Sequence, residues 1–138
     1  MLKKNLNILL IEDNIIEVMK MDRTISLLNL KHKITKATTA DEAFEILKQS
    51  ERFPDIILLD LNMPKINGIE FLSTLKSNDT LKHIPTIILT TSDNENDLNK
   101  CYKIGISGYI LKPLKYEDYV KKIEIVLSYW CINELKKY

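Results

Sequence analysis

Five short apolar runs alternate along the chain with longer segments whose apolar residues recur at helical spacing. The runs cover residues 7–11, 32–37, 55–59, 86–90 and 108–111, and prolines flank three of them. Runs with little interior polarity are typical of strands that helices cover on both faces of a sheet. The pattern therefore predicts an α/β fold of the (βα)5 type, a doubly wound parallel sheet of five strands with right-handed crossovers.

The segments between and after the runs predict five helices, over residues 14–28, 39–49, 68–76, 93 or 94 to 104, and 116 to about 136. Asp93 or Asn94 is a favourable cap for the start of the fourth helix, and Gly105 is expected to end it. An all-helical chain is excluded because prolines border the short apolar runs.

The last helix carries two apolar stripes on opposite sides. One stripe has the spacing of a helix packed on a sheet and consists of Tyr116, Val120, Ile123, Leu127 and Trp130. The second stripe lies about 180° away and consists of Ile125, Tyr129 and Ile132. We expect the second stripe to be exposed and to form a homodimer or target surface. The alternative is that this end of the helix continues the core.

Composition limits the classes of protein that the chain can belong to. Its 138 residues predict a single domain over 1–138, with no room for an output domain. The formal net charge of +1 argues against nucleic acid as a direct partner. The sequence has neither a signal peptide nor an apolar run long enough to span a membrane, which indicates a cytoplasmic protein without a membrane partner.

The cysteines and histidines suggest no chemistry of their own. Cys101 and Cys131 are too few for a disulfide framework, and both lie in helical patterns where we expect buried or half-buried side chains. His32 and His83 are isolated, and we expect both at the surface.

Polar residues follow four of the predicted strands. They are Glu12 and Asp13 after the first, Asp60 and Asn62 after the third, Thr90, Thr91 and Ser92 at the end of the fourth, and Lys112 and Pro113 after the fifth. The carboxyl ends of parallel strands meet at one edge, where open α/β sheets bind ligands. Taken singly, each residue has an ordinary explanation as a cap, a turn residue, a strand residue or a surface charge. Taken together, they predict a site.

The residue types indicate phosphoryl transfer. Three carboxylates held together repel one another, and Mg²⁺, which prefers carboxylate, water and phosphate oxygens, would relieve that repulsion. A lysine and a hydroxyl would hold the oxygens of a phosphoryl group. Asp60 would act as the nucleophile, since carboxylates form aspartyl-phosphates. The chain has no glycine-rich phosphate loop, so a nucleoside triphosphate is not the expected ligand.

These motifs resemble the receiver domain of two-component response regulators. The matching residues are Glu12-Asp13, the run from Asp60 through Met63-Pro64 to Gly68, Thr90, and Lys112-Pro113. The resemblance covers essentially the whole chain. Within the family, the sequence is similar to stand-alone, CheY-like receivers, including those associated with phytochromes. This resemblance implies the flavodoxin-like strand order 2-1-3-4-5.

The resemblance also implies roles for individual residues. Asp60 would accept a phosphoryl group from a phosphohistidine on a sensor histidine kinase or phosphotransfer protein. Mg²⁺ would be bound by Glu12, Asp13, Asp60 and the backbone carbonyl of Asn62. Lys112 would pair with the phosphoryl oxygens, and its peptide bond to Pro113 would be cis.

Further positions are implied as switch and tuning residues. Thr90 and Tyr109 would move together on phosphorylation, and Asn62 and Ser92 would tune autodephosphorylation. The sequence departs from many family members in having Glu12 rather than Asp, and Thr91 where Ala is common.

These residues suggest three possible functions. The first is a stand-alone receiver that catalyses only its own phosphoryl transfer and dephosphorylation, and signals through its fourth helix, fifth strand and last helix. The second is a Mg²⁺-dependent phosphohydrolase with an aspartyl-phosphate intermediate, which would need a second acid where Asn62 stands. The third is a scaffold that is never phosphorylated, which the complete set of acids and the lysine disfavour.

Overall fold

A computed structural model describes residues 4–49, 51–63 and 66–137. Its main sheet has five parallel strands: β1 (Asn7–Ile11), β2 (Lys33–Ala37), β3 (Ile56–Leu59), β4 (Thr86–Thr90) and β5 (Gly108–Leu111). Their order in the sheet is β2-β1-β3-β4-β5, as the resemblance implies. The predicted α/β class and strand order are confirmed.

Five helices follow the five strands. They are α1 (Ile15–Leu27), α2 (Ala40–Gln49), α3 (Gly68–Ser77), α4 (Glu95–Ile104) and α5 (Tyr116–Ile132). Asn94 caps α4 by accepting hydrogen bonds from two backbone amides, and Gly105 ends it with a φ of 124°. A short antiparallel hairpin pairs Asn62–Met63 with Ile66–Asn67 before α3. Pro64 and Lys65 of the family motif lie outside the described residues.

The predicted end of α5 at about residue 136 is wrong. The helix stops at Ile132, and Asn133 takes an extended conformation. Apolar spacing continues to Leu135, which packs against the core from outside the helix. Asparagine favours such an end because its side chain competes with the helical backbone for hydrogen bonds.

The alternation of side chains along each strand divides the core into two layers. Leu9 and Ile11 of β1 face the layer that α2, α3 and α4 cover, whereas Ile8 and Leu10 face the layer that α1 and α5 cover. Central β3 is buried at all four of its residues. Because both faces of the sheet are covered, the loops at its carboxyl edge are the part of the sheet open to a ligand.

The two stripes of α5 differ in exposure. Ile123, Leu127 and Trp130 are buried against the sheet, together with Tyr119. Tyr116 and Val120, which were predicted to face inward, are half-buried. The second stripe is exposed, with 69% of Ile125, 55% of Tyr129 and 74% of Ile132 accessible to solvent. None of the helices in the described residues is both long and apolar enough to cross a membrane.

The prediction that His32 is an isolated surface residue is wrong. The Leu6 amide donates to His32 Nδ1 at 2.9 Å, and Cys131 Sγ lies 3.6 Å from Nε2. Because Nδ1 is the acceptor, the proton of the neutral ring is on Nε2. These contacts join the start of β1 to the end of α5 through residues far apart in sequence. His83 is exposed and Cys101 is buried, as expected.

We expect His32 to make the fold sensitive to mild acid. Burial lowers the pKa of His32 below 6.5, so the unfolded chain binds a proton before the folded chain does. The stability that the neutral ring contributes is therefore complete above pH 6.5 and is lost as pH falls through the lower folded-state pKa. His32→Asn keeps an acceptor that does not titrate. Urea unfolding should show a greater loss of stability in the wild type than in His32→Asn when pH falls from about 7.5 to about 5.5. His83→Asn is the control and should behave as the wild type; parallel pH profiles for wild type and His32→Asn would contradict the assignment.

Candidate functional site

The loops that follow the strands enclose a cavity of about 370 Å³ at the carboxyl edge of the sheet. Its lining contains three carboxylates predicted from the sequence and a fourth that was not. The lining residues are Glu12, Asp13, Asn14, Glu17, Asp60, Asn62, Thr91 and Lys112. The predicted convergence of Glu12, Asp13, Asp60, Asn62 and Lys112 is therefore observed. The predicted Thr90 is fully buried and does not line the cavity, whereas the neighbouring Thr91 does.

Backbone hydrogen bonds extend the sheet by one residue and fix the site residues in place. The Glu12 amide donates to the Ala37 carbonyl at 3.0 Å, and the Asp60 amide donates to the Ile11 carbonyl at 3.2 Å. The Lys112 amide donates to the Thr90 carbonyl at 2.8 Å. Each site residue thus directly follows a rigid strand, which limits the motion of the functional side chains.

Charged groups at the site are nearly excluded from water. Glu12 is 2% exposed and Asp60 8%, and the side chain of Lys112 is 5% exposed. Lys112 Nζ donates to Glu12 Oε1 at 2.9 Å and lies 3.6 Å from Asp60 Oδ2. Charges this well buried must be paired, because an isolated ion would pay a large desolvation penalty.

Burial and charge pairing shift the titration of this pair. Burial raises the pKa of Glu12, and the ammonium of Lys112 offsets part of that rise. Burial alone would lower the pKa of Lys112, but the surrounding carboxylates outweigh it, led by its hydrogen bond to Glu12, and the pKa is raised. Lys112 is therefore a cation throughout the neutral range.

Asp60 has one oxygen held and one oxygen directed to the lysine. The backbone amide of Asn62 donates to Asp60 Oδ1 at 3.0 Å, whereas Oδ2 faces Lys112 Nζ. This orientation presents a carboxylate nucleophile beside a cation that can neutralise the charge of an incoming phosphoryl group.

The side chain of Asn62 forms hydrogen bonds with two threonines, the last residue of β4 and the residue after it. Its Nδ2 donates to Thr90 Oγ1 at 3.1 Å and to Thr91 Oγ1 at 3.0 Å. Thr90 Oγ1 also accepts from the Ser92 amide at 3.2 Å. With both lone pairs of Thr90 in use, its hydroxyl proton is available to another oxygen.

Ser92 and Tyr109 lie outside the cavity lining. The Ser92 hydroxyl donates to Asp97 Oδ2 at 3.0 Å, in the first turn of α4. The Tyr109 hydroxyl donates to the Ser92 carbonyl at 2.8 Å. Both residues therefore connect the β4 loop to the α4 side of the protein rather than contacting Asp60.

The peptide bond between Lys112 and Pro113 differs from the cis bond that the resemblance implies. The described part of the chain contains no cis peptide bond, so this bond is trans. The trans isomer is favoured by about 0.5–1 kcal/mol before proline. Lys112 reaches Glu12 with the bond in this form.

Glu17 was missed by sequence reasoning. It lies in the first turn of α1, and its Oε2 is 3.5 Å from Lys112 Nζ. The signal that could have found it is an acid one helical turn after Asp13, on a helix that begins at the site.

The donor set fits a hard divalent cation. Carboxylates of Glu12, Asp13 and Asp60 and the carbonyl of Asn62 are the groups that could hold it. No cluster of three or more His, Cys, Asp or Glu side chains in the described residues is already arranged as a metal centre. Magnesium suits such an open arrangement, because it keeps several waters and takes only one or two carboxylates from the protein.

The sequence is similar to the sequences of known regulatory proteins. A family model for the response regulator receiver domain matches residues 8–124. The probable methanogenesis regulatory protein FilR2 of Methanothrix harundinacea is 35% identical over 127 residues, which make up 89% of this chain and 82% of FilR2. Response regulator Rcp1 of Synechocystis sp. is 32% identical over 128 residues, or 89% of this chain and 87% of Rcp1.

Solved structures of similar proteins superpose over almost the full chain. The phosphorylated cyanobacterial phytochrome response regulator RcpA has a TM-score of 0.88 at 30% identity, covering 97% of this chain and 100% of RcpA. The Mn²⁺-bound form of Rcp1 has a TM-score of 0.85 at 30% identity, covering 96% of this chain and 99% of that one. The structural similarity thus extends over nearly all of the chain.

Gly68 is predicted to be required for the loop that carries Asp60. A Cβ added at Gly68 would lie 2.9 Å from Leu61 Cα and 3.1 Å from the Asp60 carbonyl oxygen, both backbone atoms. Gly68→Ala should therefore lower the free energy of unfolding by about 1–3 kcal/mol, as measured by urea unfolding. In the control, Gly108→Ala, the new Cβ would meet only the Ile87 side chain at 3.6 Å, so stability should stay near the wild-type value. Equal stability of Gly68→Ala and wild type would contradict the close approach.

Proposed function

The chain belongs to the response regulator receiver family, and from that premise we propose that it is a phosphorylation switch. In this proposal Asp60 accepts a phosphoryl group from the phosphohistidine of a sensor histidine kinase or phosphotransfer protein. The observation that carries the proposal is the buried Asp60 carboxylate, with Lys112 Nζ 3.6 Å from Oδ2 at the wall of an open cavity.

The transfer exchanges one bond for another. Asp60 attacks the phosphorus, a new O–P bond forms, and the P–N bond to the donor imidazole breaks with its electron pair left on that nitrogen. Lys112 neutralises charge on the transferring oxygens because its ammonium is already beside the nucleophile. The Asn62 amide keeps Asp60 Oδ1 in place, so that the carboxylate does not have to reorient.

Magnesium is the cofactor of this proposal. Glu12, Asp13, Asp60 and the Asn62 backbone carbonyl would hold it, and it would supply further neutralisation of phosphoryl charge. Similarity to Rcp1, whose Mn²⁺-bound form is known, supports a divalent cation at this cavity.

The switch uses the hydrogen bonds around Thr90. When Asp60 is phosphorylated, the free hydroxyl proton of Thr90 turns to a phosphoryl oxygen, and the bond from Asn62 to Thr90 is exchanged. Tyr109 is connected to the same loop through the Ser92 carbonyl, so the movement reaches the face formed by α4, β5 and α5. Phosphorylation thereby shifts an equilibrium between two arrangements of that face.

A protein phosphodonor would dock beside the cavity. Ile15, Ile16 and Met19 are exposed apolar residues at the start of α1, directly after Asp13. Leu114 is fully exposed two residues after Lys112. Exposed apolar groups at the start of α1 and on the loop after β5 are suited to contact with a protein beside the cavity.

Output would leave through the second stripe of α5. Ile125, Tyr129 and Ile132 present apolar surface to solvent, and the Tyr129 ring is held edge-on to buried Trp130 with 5.0 Å between centroids. We propose that a second copy of the chain covers this surface. A rigid, exposed aromatic next to two isoleucines is the kind of anchor that protein interfaces use.

Phosphorylation is tested by incubating the protein with acetyl phosphate and Mg²⁺ and measuring its intact mass. We expect one phosphoryl group on the wild type, none on Asp60→Asn, and none when a chelator removes the cation. Asp79→Asn, at an exposed carboxylate outside the cavity lining, should be phosphorylated like the wild type. A wild type that gains no phosphate would favour the scaffold. Multiple turnovers of phosphomonoesters, in place of a single Asp60-dependent addition, would favour the phosphohydrolase.

Association is tested by sedimentation velocity with and without acetyl phosphate. We expect the wild type to form a dimer whose population changes on phosphorylation, and Ile125→Asp and Tyr129→Asp to remain monomeric because each places a charge in an apolar contact. Ile16→Asp, at an equally exposed isoleucine on α1, is the matched control and should dimerise normally. If the wild type stays monomeric in both states, or both α5 variants associate like the wild type, the dimer proposal is wrong.

A further inference from the structure

A fourth carboxylate lies at the site without a settled partner. Glu17 Oε2 is 3.5 Å from Lys112 Nζ and 3.7 Å from Lys20 Nζ. The side chain as a whole is 24% exposed, yet Oε2 itself is buried and has no hydrogen-bond partner among the described residues. A buried carboxylate oxygen held at these distances is costly unless it serves another arrangement of the site.

Lys112 is surrounded by more acceptors than it uses. Its ammonium has three protons, and three carboxylates approach it, from Glu12 at 2.9 Å, Glu17 at 3.5 Å and Asp60 at 3.6 Å. Only the contact to Glu12 has the length of a good hydrogen bond. The flexible stem of lysine allows the ammonium to exchange one acceptor for another with little movement.

Cation binding would remove the acceptor that Lys112 now uses. Glu12 is among the ligands of the proposed Mg²⁺ site, and so is Asp60, so oxygens of both would turn to the cation. The ammonium, on a side chain that is only 5% exposed, has little access to water. Without another carboxylate, cation binding would leave a buried ammonium poorly paired, which is strongly unfavourable.

We propose that Glu17 is a positioning residue that receives the Lys112 ammonium when Glu12 turns to the divalent cation. The inference rests on the cation binding of the proposed function. It explains how the buried Lys112 ammonium stays paired when a cation is bound. Glu17 contacts Lys112 and not the reacting oxygens, so it acts through the lysine.

Lys20 keeps Glu17 available for this role. It forms an ion pair with Glu17 one turn along α1, and its ammonium lies 4.3 Å from the centre of the Tyr119 ring. Tyr119 is fully buried in the layer between α1 and the sheet. The ammonium of Lys20 is therefore anchored, and it holds the Glu17 carboxylate on the Lys112 side of the helix.

The test measures binding of Mn²⁺ by calorimetry, with no phosphodonor present. We expect Glu17→Gln to weaken binding about tenfold, since the lysine then stays on Glu12 and competes with the cation for it. Glu17→Asp should recover part of the affinity. Asp22→Asn, on the same helix but paired with Lys36, should bind like the wild type.

A double-mutant cycle separates the positioning role from simple loss of charge. In a Lys112→Met background there is no ammonium to receive, so adding Glu17→Gln should change the Mn²⁺ affinity by less than about twofold. Thermal unfolding without metal checks that every variant is folded. An equal loss in both backgrounds, or wild-type affinity in Glu17→Gln, would overturn the inference while leaving the proposed function intact. A wild type that binds no Mn²⁺ would instead refute the cation step of the proposed function, and this inference with it.

Discussion

The contact between Lys112 and Glu12 is the interaction on which the site depends, because it keeps opposite charges together where water hardly reaches. The ammonium is flanked by Asp60 and Glu17 as well, so the cavity holds more negative than positive charge. Such a site would attract a cation and, in the proposed function, a phosphoryl group. In that proposal each arrival would change which carboxylate the lysine uses. The proposed chemistry and the proposed switch would then depend on the same small set of charged side chains.

The strands fix the positions of these charged residues. Backbone hydrogen bonds continue past β1, β3 and β5 to the residues that carry the charges, so the distances within the cavity are set by the sheet. Gly68 completes the arrangement, since it allows α3 to begin against the backbone of Asp60 and Leu61. The side-chain amide of Asn62 donates to both Thr90 and Thr91 at the end of β4. The resting state is thus stabilised by contacts that phosphorylation would exchange.

The local sequence was sufficient to predict the boundaries of elements that a proline precedes or a glycine follows. Prolines before β3 and β4 and Gly105 after α4 placed those boundaries within a residue or two of where they lie. It failed at the end of α5, where apolar spacing continues through Leu135 although the helix has ended at Ile132. Periodicity reports which side chains meet the core. It does not distinguish a helix from an extended segment that packs on the same surface.

Contacts between distant residues were beyond the reach of pattern reasoning. The acids, the lysine and the threonine could be placed at one edge because each follows a strand, and parallel topology does the rest. Glu17 faces the cavity from inside a helix, and its role depends on the rotation of α1 about its axis. His32 meets the Leu6 amide and Cys131 through folding of segments 26 and 99 residues apart. Amino-acid types indicated what such groups could do but not which neighbours they would find.

The strand next to the site on one side, β5, lies at an edge of the sheet. It carries Tyr109 and leads into Lys112, and among the described residues it pairs with β4 alone. None of its four residues is fully buried, in contrast to those of β3. A margin with neighbours on one side opens at lower free energy than the middle of a sheet. The site thus adjoins an edge strand, so the proposed switch would reach the surface of the protein through β5 without disturbing the buried strands.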